Sequence, residues 1–184
     1  QDSRGWYYLG NTQMEVFEYS DAVKSYKKVL KIEPLDTHAL FNRGNAYYEL
    51  NKLDKAILDL SQVTELDTTY RAAFVVRGSA WFNLSDYGKA AEDFSRAIAL
   101  DPADASTYYD LGNTRFMQER YTDAETDYAR AIEKDSTVAN YYFNRALTRF
   151  ILESNEAACE DLGRAAALGD SESQEYMQEF CNRF

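Results

Sequence analysis

The 184-residue sequence carries 31 acidic against 20 basic side chains, a net charge of -11, which repels phosphate backbones and anionic head groups and favours a neutral or basic partner over nucleic acid or a membrane surface. No apolar run approaches the ~18 residues that a membrane-spanning helix needs. With 15 Tyr, 10 Phe and 2 Trp against only 8 Gly and 2 Pro, the chain reads as compact and mainly helical rather than loop-rich or disordered.

A period of 34 residues organises everything that follows. The first unit, 3–36, sets a ring at Trp6, a small residue at Gly10, then Ala22, Tyr26 and Val29, and turns at Pro34. The second, 37–70, repeats these columns as Leu40, Gly44, Ala56, Leu60 and Val63, with Thr68 at the turn. In 71–104 they are Phe74, Gly78, Ala90, Phe94, Ala97 and Pro102, and in 105–138 Tyr108, Gly112, Ala124, Tyr128, Ala131 and Ser136. The fifth unit, 139–172, has Tyr142, Ala146, Ala158, Leu162, Ala165 and Asp170. Spacings of three and four belong to one helix face, so each unit is predicted to fold as two amphipathic helices that approach closely at the small residues. The last segment, 173–184, places Tyr176, Met177, Phe180 and Phe184 at helical spacing, and is predicted to be a capping helix over the final apolar face.

Trp6, Leu9, Gly10, Ala22, Tyr26 and Pro34 resemble the W-x2-L-G, A-x3-F and P pattern of the tetratricopeptide repeat, with Gln13 where that family has tyrosine. The stretch from Ala165 to Asp170, AAALGD, is similar to the ending of a Sel1-type repeat. The resemblance implies an all-α, right-handed superhelical solenoid of five helix-turn-helix repeats plus the cap, forming a single domain over 1–184. It also implies a concave groove, lined by the first helix of each pair, for a peptide or a partner's helix. Neither catalysis nor a cofactor is implied, and fold alone does not fix function.

The groove positions given by this register are Tyr7, Phe41, Tyr109 and Phe143 in one row, and Asn42, Asp110 and Asn144 in the next. Asn11, Asn45 and Asn113 follow, flanked by Tyr48, Phe82, Phe116 and Phe150. Asparagine amides carry both a donor and an acceptor, which suits the backbone of an extended peptide, and the rings offer pockets for its side chains. The alternative for each ring is packing between neighbouring helices. Some members of the family hold the acidic C-terminal tail of a chaperone with lysines, an arginine and two asparagines. Asn11 and Asn42 match the asparagines, but Tyr7, Ala72 and Val76 stand at the basic positions. Two buried carboxylates need compensating charge, so an acidic chaperone tail is not the expected partner.

Arg43, Arg77 and Arg145 share a column, and Asp59, Asp93 and Asp161 follow sixteen residues later. Antiparallel helices would bring each pair together as a partly buried ion pair fixing register. The first unit has Leu9 and Ser25 instead, and the fourth has Leu111 with Asp127, leaving Asp127 to Arg115 or Arg145. Catalysis finds no candidate: the single His38 lacks a recognisable Ser, Cys or Asp partner, and no metal-binding or phosphate-loop motif occurs. Cys159 and Cys181 lie eleven residues to either side of Asp170, at one level of an antiparallel pair. They read either as two small core residues or as a disulfide, which would place the chain in an oxidising compartment such as the periplasm or cell exterior. The chain begins at Gln1, so any targeting peptide would lie outside it.

The resulting expectation is a noncatalytic interaction scaffold or adaptor for a protein or peptide partner. One alternative is a self-association module in which Phe116, Met117, Phe143, Leu147, Phe150 and Ile151 build a homo-oligomer contact. The other is a regulatory part of a larger protein or enzyme complex.

Overall fold

The computed structural model describes residues 2–181, which are helical with no strand among them. Five hairpins follow one another: α1 (Ser3–Glu15) with α2 (Tyr19–Ile32), α3 (Thr37–Glu49) with α4 (Leu53–Leu66), α5 (Arg71–Asn83) with α6 (Tyr87–Leu100), α7 (Ala105–Met117) with α8 (Tyr121–Lys134), and α9 (Ala139–Ile151) with α10 (Asn155–Ala167). The helix starts recur every 34 residues, as the sequence columns require.

Each boundary has a local cause. Asp2, Asp36, Asp104 and Asp170 precede helices, and their side chains accept backbone N–H groups of Gly5, Ala39, Ser106 and Ser173, satisfying donors that a helix start leaves unpaired. The first helix of each pair stops at a residue in the left-handed region: Phe17, Asn51, Ser85, Glu119 and Glu153, with φ between 54° and 62°. The following N–H groups reach back to a carbonyl five residues earlier, as from Glu18 to Gln13 and from Arg120 to Arg115, which is the Schellman termination. Glycine is the usual residue there, yet only α10 ends on one, Gly169 at φ 96°.

The chain forms two compact units, residues 1–100 and 101–184. In the first, Ala22, Tyr26, Leu40, Leu60 and Val63 are essentially inaccessible to solvent, each large side chain contributing about 1.5–3 kcal/mol of burial. A Cβ at Gly10 would lie 2.6 Å from the Tyr26 ring, so this position has to stay glycine for α1 to touch α2. The second unit repeats the device, with a Cβ at Gly112 falling 2.7 Å from the Tyr128 ring. Its fifth repeat packs Ala146 with Ala158 and Leu162 instead.

The arginine column bridges the two helices of three hairpins. Arg43 donates from Nε and Nη2 to both oxygens of Asp59, at 2.7 Å each. Arg77 makes the same fork with Asp93 and adds bonds from Nη1 to Ser61 and Thr64 of the preceding repeat. Arg145 forks onto Asp161, where Arg149 joins it. Where the column holds leucine, a residue one turn further along α7 takes over: Arg115 donates to Asp127 at 2.6 Å. In α1, Gln13 stands in that place and accepts from Ser25.

The C-terminal cap departs from the expectation of one α-helix. It is a short helix α11 (Ser171–Tyr176) that widens into a π-helical turn, Met177–Cys181. Tyr176, Met177 and Cys181 pack on the cluster of Ala146, Ala158 and Leu162 together with Phe143 and Phe150. Cys159 and Cys181 are joined by a disulfide with their Cα atoms 5.7 Å apart, which ties the wide turn to α10. Phe184 lies outside the described residues.

Candidate functional site

The first helices of the pairs carry every groove position read from the sequence, and all of them are half-buried. In the N-terminal unit three of these side chains join Tyr26 of α2 in one network. Asn11 Oδ1 accepts from Tyr26 OH at 2.8 Å and from Asn42 Nδ2 at 3.0 Å, and Asn42 Nδ2 also reaches Tyr7 OH at 3.3 Å. The C-terminal unit rebuilds the arrangement: Asn113 Oδ1 accepts from Tyr128 OH at 2.8 Å and Asn144 Nδ2 at 2.9 Å, with Tyr109 OH at 2.9 Å from the same amide. Burial pushes the phenols of Tyr26 and Tyr128 well above the ordinary tyrosine range, so both stay neutral donors.

These bonds alter what the asparagines can do. Four amides expected to meet a ligand are partly used in joining adjacent repeats. Asn11 keeps Nδ2 outside the network, and Asn42 and Asn144 keep Oδ1 outside it, whereas the Asn113 amide also bears on the Tyr109 phenol. The bonds that remain fix those leftover groups in place, which lowers the entropy lost on binding. Asn45 differs, because its register partners are Leu60 and Val76 rather than tyrosine and asparagine. It stays half-buried outside either network.

The rings divide likewise. Phe41 lies against Tyr70 at 5.0 Å between centroids, Phe82 against Tyr87 at 5.4 Å, and Phe116 against Tyr121 at 5.4 Å. Tyr48 OH accepts from Asn83 at 3.3 Å. Phe143 packs edge-on against Tyr176 at 5.5 Å, and Phe150 meets Phe180 at 5.9 Å. The cap therefore covers part of both rings. Met117 and Ile151, which share one column, remain about half exposed at 48% and 47%.

Asp110 is the charged member of the surface. It occupies the register position of Asn42 and Asn144, and burial pushes its carboxyl up to about 6. Asp127 is also raised to about 6 by burial, against the opposing pull of Arg115. Among the described residues no group of three His, Cys, Asp or Glu side chains could hold a metal ion, and no helix is long and apolar enough to cross a membrane.

The family described as TPR repeat matches residues 18–51 and 78–119, and two described as Tetratricopeptide repeat match 38–70 and 109–173. No curated protein matches significantly. Among solved structures, the crystal structure of MamA protein is 25% identical with a TM-score of 0.85, over 97% of this chain and 94% of that one. MamA 41-end from Desulfovibrio magneticus RS-1 is 19% identical with a TM-score of 0.87, over 90% and 94%. YrrB, described as a TPR protein with an unusual peptide-binding site, is 20% identical with a TM-score of 0.84, over 97% and 92%.

Proposed function

Since the chain belongs to the tetratricopeptide repeat family, we propose that it is a noncatalytic scaffold that binds an extended segment of a partner protein along its first helices. The observation that carries this reading is the network of two tyrosines and two asparagines, built once in each unit. It leaves oriented amide donors and acceptors beside half-buried rings, a surface suited to peptide backbone and side chains. YrrB, with its peptide-binding site, supports the same class of role. An acidic chaperone tail remains disfavoured, because Tyr7, Ala72 and Val76 offer it no cation.

The test uses a variant that spares both networks. Asn45→Ala combined with Phe82→Ala keeps the helicity of the parent and loses partners captured by the wild type from native extract. Equal capture by both proteins overturns the reading. The exposed column of Met117 and Ile151 favours a second reading, self-association, which light scattering decides: a monomer across micromolar concentrations removes it.

Two finer readings belong here. The AAALGD stretch ends α10 with Gly169 in the left-handed region and Asp170 capping α11, in keeping with a Sel1-like ending. The disulfide supports residence in an oxidising compartment. Alkylation without reductant should then add no mass to protein isolated from its native source, and two modified thiols would remove that assignment.

A further inference from the structure

We infer that Asp110 is the receptor for a cationic side chain, arginine by preference, of the segment that binds the C-terminal unit. The inference rests on the scaffold reading and names the chemistry of its partner.

Asn144, at the same register position one repeat later, donates through its amide nitrogen to Tyr109 and Asn113. A carboxylate cannot donate, and the positions 35 and 31 residues before Asp110 hold Val75 and Ser79 rather than tyrosine and asparagine, so residue 110 presents an acceptor where residue 144 presents a donor. No donor or cation of the described residues bonds that carboxylate. Three described arginines of the unit are engaged elsewhere, Arg115 with Asp127 and both Arg145 and Arg149 with Asp161. A half-buried, unpaired carboxylate is destabilising unless something outside the fold satisfies it.

The surroundings select the kind of cation. The charge on Asp110 acts on the phenols of Tyr109 and Tyr141, whose rings lie 4.9 Å apart. A planar guanidinium can bond the carboxylate with its fork and lie against an aromatic face, whereas an ammonium makes a point contact only. The net charge of -11 draws such a basic segment in.

The test is a selection of random ten-residue peptides displayed on phage against the intact chain, followed by resynthesis of the winners with citrulline, the neutral isostere of arginine. The inference requires that arginine be enriched, and that citrulline weaken binding by about tenfold or more. Asp110→Asn, which installs the residue that the second and fifth repeats carry and keeps the fold, should weaken the arginine peptide equally and bind the two peptides alike. Winners without basic residues, or equal affinity for wild type and variant, overturn the inference while the scaffold reading stands. A selection that returns no peptide overturns both.

Discussion

The N-terminal and C-terminal units build the same tyrosine and asparagine network from residues 102 positions apart, yet they hold buried charge differently. In the first unit each buried aspartate receives a two-pronged arginine, Arg43 on Asp59 and Arg77 on Asp93. In the second, Asp127 has one bond from Arg115 while Asp161 takes two arginines, and Asp110, on the candidate binding surface, has no partner among the described residues. The difference teaches that each repeat preserves the pair that closes its own hairpin and varies the column that faces the neighbouring repeat. Every repeat needs its hairpin closed, so either of two columns on the first helix can supply the partner for the aspartate or serine on the second. The column of Asn42, Asp110 and Asn144 is bound to a neighbour only where tyrosine and asparagine stand 35 and 31 residues earlier.

The sharpest way to break this comparison is to remove one arginine from each unit. Arg77→Ala leaves Asp93 buried without its partner and also frees Ser61 and Thr64, so it should destabilise by about 3 kcal/mol in urea unfolding. Arg115→Ala removes a single bond from an aspartate that already titrates near 6 and should lose about 1–2 kcal/mol. Equal losses would show that the two-pronged geometry adds nothing.

A smaller effect, of opposite sign, is expected at Asp110. Its carboxyl is raised from 3.8 to about 6 in the fold, so the folded state binds more protons than the unfolded chain between those values. Stability from this group is complete below about pH 4 and lost as pH rises through 6. Asp110→Asn should therefore stabilise the protein by about 1–2 kcal/mol at pH 7, after discounting for solvent screening, and by almost nothing at pH 4. A gain independent of pH would separate the effect from charge.

The smallest predicted change should not distinguish the units at all. Ser85 and Glu119 occupy the same left-handed turn position, at φ 62° and 60°, where a side chain is strained. Ser85→Gly and Glu119→Gly should each raise stability by about 0.5–1 kcal/mol, measured by thermal unfolding. Unequal gains would show that the turn is not equivalent in the two units.

Much of this architecture was legible in the residues. A helix face repeats every three to four residues and a hairpin every 34, so periodicity alone located the five pairs, the small-residue column at which their helices approach, and the arginines sixteen residues before their aspartates. The cysteines could be placed level with one another by counting from Asp170, though not chosen as bonded. Other features depend on which atoms meet in three dimensions. The bonds from Tyr26 and Tyr128 to asparagine, the partial covering of Phe143 and Phe150 by Tyr176 and Phe180, and the widening of the cap into a π-helical turn leave no mark on the repeat pattern. The turn residues Phe17, Ser85, Glu119 and Glu153 carry no glycine signal, because the packed hairpin on either side holds the backbone there against its local preference. Asp110 is the clearest case: its column could be read from the sequence, but its lack of a partner among the described residues follows only from where their other charges have gone. Sequence periodicity specifies faces, whereas the allocation of hydrogen bonds and charge among those faces is settled by tertiary contact.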